Sequence, residues 1–287
     1  MTRRGFTLVE LLVALVMLGV VSASVYQLLV SNQRVYRQQT QRIELNDNLR
    51  SAIAMVPGEL RELSANDPSG TDIIAMAESS ITYKAMRNLY VTCQPMSQAT
   101  PTILVLDTAV IGLRALDPER DSVLILADRD TGTPRDDVWS HQNVVTVTRT
   151  NICPGGAPSL TVTLSPGVAA ADSNVLAGHP VRGFEVQEIR KYPDAGGNLW
   201  LGARRYTKSP ALSPGWQGLQ PVVGPLAGRG LVLAYFDSTG AVTTDRTLVA
   251  RVSVTVIGRT AQPVQTGGTV DYLLDTLVTN VALRNNR

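Results

Sequence analysis

From Phe6 to Val30 the chain carries 25 residues and a single charge, Glu10, and the stretch from Leu11 to Val21 has no polar side chain. As an α-helix this run is about 37 Å long at 1.5 Å per residue, enough to cross a hydrocarbon core of about 30 Å. A helix apolar on every side needs lipid or other apolar helices around it. Arg3 and Arg4 precede the run and favour a cytoplasmic N-terminus, but Arg34, Arg37 and Arg42 follow it, so the orientation rests on the short leader. A secretory signal peptide is a competing reading, with Ser22-Ala23-Ser24 as its cleavage site. The apolar character nevertheless runs on through Val25, Leu28, Leu29 and Val30, which a cleaved peptide does not need. Glu10 is the anomaly. A carboxylate inside an apolar span costs a few kcal/mol, so it needs a partner or a task. A position near the lipid headgroups is the plain alternative.

The composition excludes several classes. Of the 287 residues 17% are charged, below the globular norm of about a quarter, which argues against disorder and against a long charged coiled coil. The net charge of +2 makes no general electrostatic case for nucleic acid. Two His and two Cys leave little for a His-rich metal enzyme or a zinc ribbon.

The run Arg4-Gly5-Phe6-Thr7-Leu8-Val9-Glu10-Leu11-Leu12-Val13-Ala14 resembles the N-terminal signature of type IV pilins and type II secretion pseudopilins. The resemblance implies that prepilin peptidase cuts between Gly5 and Phe6, that Phe6 becomes N-methylated, and that Glu10 is the fifth mature residue. Glu10 would then neutralise the Phe6 amine of a neighbouring subunit, pairing two charges that are each costly alone in an apolar medium. Leu8, Leu11, Leu12, Leu15, Val16 and Leu18 would form helix–helix contacts. The family's tip pseudopilin lacks this Glu and matches less well. A helix-breaking Pro common some twenty residues into the mature family helix is missing, that neighbourhood here being Tyr26-Gln27-Leu28.

Beyond the apolar run, Leu45, Leu49, Ile53, Val56, Leu60 and Leu63 recur at spacings of 4, 4, 3, 4 and 3, a one-sided helical stripe suited to packing on the chain's own head. Asn46, Asp47, Arg50, Ser51, Glu59, Arg61 and Glu62 lie opposite. Pro57-Gly58 predicts a kink or a short restart in a helix reaching Ser64, about 85–90 Å long. Asn66-Asp67-Pro68-Ser69-Gly70 reads as a loop. Short alternating runs then predict antiparallel strands at Val123–Ala127, Val144–Arg149, Leu160–Leu164, Phe184–Tyr192, Leu231–Phe236, Val252–Val256 and Leu277–Leu283. Asp194–Asn198 and Asp237–Gly240 read as hairpin turns, and the segment Pro210–Gly230, rich in Pro and Gly, as an irregular loop. The expectation is an α+β chain: a leader at 1–5, a transmembrane assembly helix at 6–30, an amphipathic helix at 31–64, and a β-rich, mainly antiparallel head at 65–287. This is a type IV pilin-like layout.

Candidate chemistry elsewhere is sparse. Cys93 and Cys153 form a disulfide or remain two thiols, the sequence being silent on their distance. Asp128 and Asp130, with Asp136 and Asp137 nearby, have the oxygen spacing of part of a calcium loop without its distal Glu, and such clusters are most often turns. His141 and His179 have no metal-pair spacing and no nucleophile signature, and the Gly-rich stretches lack a phosphate-loop Lys. Arg204-Arg205-Tyr206-Thr207-Lys208 is a small basic patch, best read as a solvated surface.

Weaker likenesses in Arg50-Ser51-Ala52, in Gly58 to Leu63, in the strand and turn from Leu231 to Gly240 and in Val281–Asn285 resemble PilW-type minor pilins and J-type pseudopilins, the chain's size fitting the former. The resemblance implies a non-enzymatic subunit without cofactors. Its partners would be prepilin peptidase, other minor and major pilins and the inner-membrane assembly platform, and nucleic acid is not expected. The chain would sit in the bacterial inner membrane by a single pass with its head in the periplasm, then in a pilus or pseudopilus. A type II secretion pseudopilin and a signal-anchored envelope enzyme or binding domain are the rival readings.

Overall fold

The computed structural model describes residues 7–66, 70–96, 101–107, 111–112, 114–129, 132, 137–167, 174–208, 214–266 and 269–284. One helix, α1, runs unbroken from Leu8 to Arg61, 54 residues or about 81 Å. Its start is set by Thr7, whose extended backbone and side-chain oxygen cap the first turn. Its end comes three residues earlier than the periodicity predicts, where Leu63 N donates to Leu60 O in a tight last turn. No restart occurs at Pro57. The ring is buried inside the helix beside Val56 and Leu60, and packing on both sides of it holds the turn despite the missing N–H.

The head is built of β1 (Ile73–Ala77), β2 (Ser80–Val91), β3 (Thr102–Leu106), β4 (Ile111–Gly112), β5 (Asp121–Ala127), β6 (Val138–Cys153), β7 (Ala157–Ser165), β8 (Pro180–Pro193), β9 (Leu199–Thr207), β10 (Gly215–Trp216), β11 (Gln220–Phe236), β12 (Arg251–Arg259), β13 (Val264–Thr266), β14 (Thr269–Asp271) and β15 (Leu274–Ala282). Among the described residues the main sheet follows the order β15-β12-β11-β9-β8-β5-β6-β7-β3, with β2 also pairing β8, and β13-β14 form a separate hairpin. Every named pairing of these strands is antiparallel. The chain is thus a long apolar N-terminal helix followed by an antiparallel β-rich head.

Each of the seven expected strands is present, generally longer than its alternating core. The exception is the stretch read as a loop over Pro210–Gly230. From Gln220 onward it is the first half of β11, which pairs β9 on one side and β12 on the other. Its register shifts around Pro221–Val223, Val223–Leu226 and Leu226–Leu231 absorb the prolines and glycines that a regular ladder would reject. Asp194 closes its hairpin by accepting from Gly196 N and Asn198 N at 2.8 Å and from Trp200 Nε1 at 2.9 Å.

Two hydrophobic cores share the sheet. One joins Leu45, Leu49, Ala52, Val56 and Leu60 of α1 to residues of β11, β12 and β15; the other gathers Tyr90, Ile103, Val123, Ile125, Val162 and their neighbours around β3, β5, β6 and β7. Beside the second core, Cys93 and Cys153 are disulfide-bonded with Cα atoms 5.7 Å apart. The link closes a 60-residue separation, which in the chain-entropy picture contributes about 4 kcal/mol.

The basic patch is largely absorbed by the fold. Arg204 pairs with Glu188 and stacks on Trp216 at 4.6 Å, while only Arg205 of the five residues is exposed. Lys208 reaches over β5, donating to Asp121 O and to Ser122 Oγ. Burial lowers its pKa to about 8 against the opposing pull of Asp121 and Asp117. The unfolded chain, with a pKa of 10.5 at this lysine, therefore holds more protons between pH 8 and 10.5, and stability should rise with pH across that window. Thermal unfolding followed over this range should show the rise in the native chain and a flatter profile in Lys208→Met.

Candidate assembly helix and its seat on the head

The apolar half of α1 begins with a reciprocal cap. Glu10 N donates to Thr7 Oγ1 at 3.2 Å, and Glu10 Oε2 accepts from Thr7 N at 3.0 Å and from Thr7 Oγ1 at 3.2 Å. The sequence carries a signal for this capping box, Thr-x-x-Glu ahead of an apolar run, which the motif reading of the same residues passes over. The arrangement gives the Glu10 carboxylate a partner within its own chain and places it at the positive end of the helix. Gly5 and Phe6 lie outside the described residues.

Leu8, Leu11, Leu12, Leu15, Val16 and Leu18 are all exposed, at 57–79%. They belong to a helix whose apolar N-terminal part has no buried residue and is long and apolar enough to cross a membrane. The first buried residue of α1 is Leu45. Gln262 N already donates to Gln41 Oε1 at 3.0 Å, so the projecting part of the helix is about 30 residues, Leu8 to Arg37, or about 45 Å.

Where α1 meets the head, the expected stripe faces the sheet. Leu45, Leu49, Val56 and Leu60 are buried and Ile53 is half-buried. Ala52 completes the face, a residue small enough to let helix and sheet approach. On the sheet side the approach depends on Gly258: a Cβ there would lie 2.6 Å from Leu45 Cδ1 and 3.1 Å from Leu49 Cδ2. Asn48 Nδ2 adds a hydrogen bond to Gly224 O at 3.0 Å.

Glu59, predicted on the solvent side, is instead half-buried and fixes the helix end. Arg87 Nη1 and Nη2 donate to its two carboxylate oxygens at 3.3 and 3.2 Å, and Tyr83 Oη donates to it at 3.3 Å. Arg87 Nε continues to Glu185 at 2.8 Å, and Arg114 bridges Glu185 at 3.1 Å and Asp121 at 2.5 Å. Burial alone would raise the Glu185 pKa, but Arg87 and Arg114 outweigh it and hold the carboxyl below its ordinary value. The chain Glu59–Arg87–Glu185–Arg114–Asp121 joins α1 to β2, β8 and β5 across the boundary between the two cores. Its members lie up to 126 positions apart in the sequence, so no local pattern announces it.

The remaining candidates stay separate. An open cleft beside the helix end is lined by Glu59, Arg87, Trp139 and Arg182 among others, and neither His141 nor His179 lines it. His179 Nδ1 lies 3.0 Å from Leu126 O and 3.3 Å from Leu176 N, in backbone contacts. Asp128 is described, whereas Asp130 and Asp136 lie outside the described residues.

Residues 1–26 match the family described as the prokaryotic N-terminal methylation motif. No curated protein and no solved structure matches the chain. The motif together with the apolar N-terminal helix supports a pilin or pseudopilin that prepilin peptidase processes and that associates with other pilins, and it fits an anchor in the inner membrane.

Proposed function

We propose that the chain is a minor pilin: a non-enzymatic, membrane-held subunit that helps initiate or build a type IV pilus. The observation that carries the reading is the coincidence of three features in one segment. The methylation motif spans residues 1–26, Glu10 stands at the third position of a helix, and the first half of that helix is apolar and exposed, with no seat on its own head. Removal of Met1–Gly5 exposes the Phe6 amine, and Glu10 of one subunit neutralises that amine on the next, which sets the axial register between stalks. Before docking, the Thr7 cap holds the same carboxylate, so docking exchanges an internal partner for a charged one. The extended apolar face, with Leu8, Leu11, Leu12, Leu15, Val16 and Leu18, then supplies lateral packing.

Mass spectrometry of the intact protein and of its N-terminal peptide, from cells with and without prepilin peptidase, tests the pathway. The expected chain begins at N-methylated Phe6 only when the enzyme is present. A chain beginning near Val25, or an uncut Met1 in the presence of the enzyme, would end this reading. In the same cells Glu10→Ala should be cleaved normally yet reach sheared filaments at a level lower by about tenfold or more, the equivalent of about 1.4 kcal/mol of lost docking energy. Loss of surface fibres on deletion supports the pilus role. Loss of protein secretion with fibres intact would place the chain in a type II secretion system instead.

A further inference from the structure

The free edge of β15 has the properties of an acceptor for another strand. Leu283 N donates to Ala250 O at 3.0 Å and Thr260 N to Leu273 O at 2.9 Å, on either side of the continuous β12–β15 register. Antiparallel ladders alternate between bonded and non-bonded pairs. The bonded pairs in between are therefore Val252 with Val281, Val254 with Thr279, Val256 with Leu277 and Gly258 with Asp275. It follows that Leu274, Thr276, Val278, Asn280 and Ala282 turn their N–H and C=O groups away from β12. Of these N–H groups only that of Thr276 finds a partner among the described residues, Asp275 Oδ1 at 2.8 Å. Among the described residues no strand pairs with this edge, nine residues of regular strand or about 30 Å. The usual protections of an edge, a lysine, a proline or a bulge, are missing from β15, and Asp275 is its one charge. Leu274 and Val278 stand 62% and 60% exposed on the face away from α1.

The direction of β15 limits what can occupy this edge. Leu45 of α1 lies at Gly258, which is in register with Asp275, while Ser64 bridges Arg284 in parallel just beyond the other end. β15 therefore ascends with the stalk helix, away from the membrane. Two copies anchored in one bilayer hold their stalks, and so their β15 strands, in the same direction. Antiparallel β15-to-β15 pairing would need one copy inverted. We propose that the β15 edge is completed by a descending strand, one that runs antiparallel to its own stalk, from a neighbouring pilin-type subunit in the same assembly. This rests on the assembly reading above, because stalk-to-stalk packing is what brings such a strand alongside.

Proline substitution at two adjacent positions separates the open edge from the ladder. Val278→Pro removes an outward N–H only, a change edge strands tolerate, whereas Thr279→Pro removes a ladder bond to Val254. Val278→Pro in the full-length chain should be cleaved and should unfold within a few degrees of the native protein, yet enter filaments at least tenfold less. A photoreactive residue at Asn280 should cross-link in cells to a strand of another subunit. In the detergent-solubilised protein alone, the amides of Val278 and Asn280 should exchange with solvent at least tenfold faster than that of Thr279, and this readout holds whatever the N-terminus proves to be. Slow exchange there would mean that the chain covers its own edge and would overturn the proposal. So would native-level incorporation of Val278→Pro, or an adduct that maps to β15 of a second copy. An unprocessed N-terminus would instead count against the assembly reading.

Discussion

Replacing Glu185 with alanine is expected to lower the unfolding free energy by about 3–5 kcal/mol, the range for removing one partner of a buried ion pair. The side chain is 3% exposed and accepts from both Arg87 and Arg114, themselves only 11% and 23% exposed. Gln187 Nε2 also donates to it at 2.7 Å. Without the carboxylate, two guanidinium groups stay in a poorly hydrated seam with Glu59 and Asp121 as their remaining anions. Urea unfolding of the native and variant chains measures the difference, and a loss under about 1 kcal/mol would mean that the seam repairs itself with water. The pH dependence has a definite sign. The folded pKa of Glu185 lies below its ordinary 4.5, so its contribution is present above about pH 4.5 and is lost as pH falls through the folded value. The acid limb of the stability curve should be shallower in Glu185→Ala.

Gly258→Val is expected to cost about 3 kcal/mol, at the upper end for overpacking, because the new side chain would meet two helix leucines rather than open space. A Cβ 2.6 Å from Leu45 Cδ1 cannot be accommodated without moving α1 or rotating that leucine. The strand cannot move instead, being bonded to β11 on one side and β15 on the other. Pairing the change with Leu45→Ala should return part of the loss, and the non-additivity in a double-mutant cycle would locate the strain between these two residues. Full additivity would place the cost elsewhere.

The legible parts of the fold are those that repeat at short range. The helical stripe from Leu45 to Leu63 and the alternation Val252, Val254, Val256 are local patterns, and both mark surfaces that face the core. β2 carries no such pattern, because Lys84, Arg87 and Asn88 break its alternation. Their partners, such as Glu185 for Arg87 and the carbonyl of Arg114 for Asn88 Nδ2, lie elsewhere in the chain. The first half of β11 is hidden for the opposite reason, its prolines and glycines being local signals of irregularity that the register shifts accommodate. Glu59 falls on the solvent side of the helical wheel, and only the distant Tyr83 and Arg87 give it a different environment. At the N-terminus the methylation motif is plain in the residues themselves. The cap between Thr7 and Glu10 is written in the same eleven residues, since Thr-x-x-Glu before an apolar run also marks a helix start.

The separation between stalk and head has a thermodynamic consequence. No residue of α1 before Leu45 is buried, and both cores are filled from Leu45 onward. Moving the stalk from lipid into a bundle of other stalks would thus exchange one apolar solvent for another without disturbing either core. The stalk's share of that work depends on the surface of the rod and on Glu10. The head adds only what its own outer surface, the β15 edge included, can pair with.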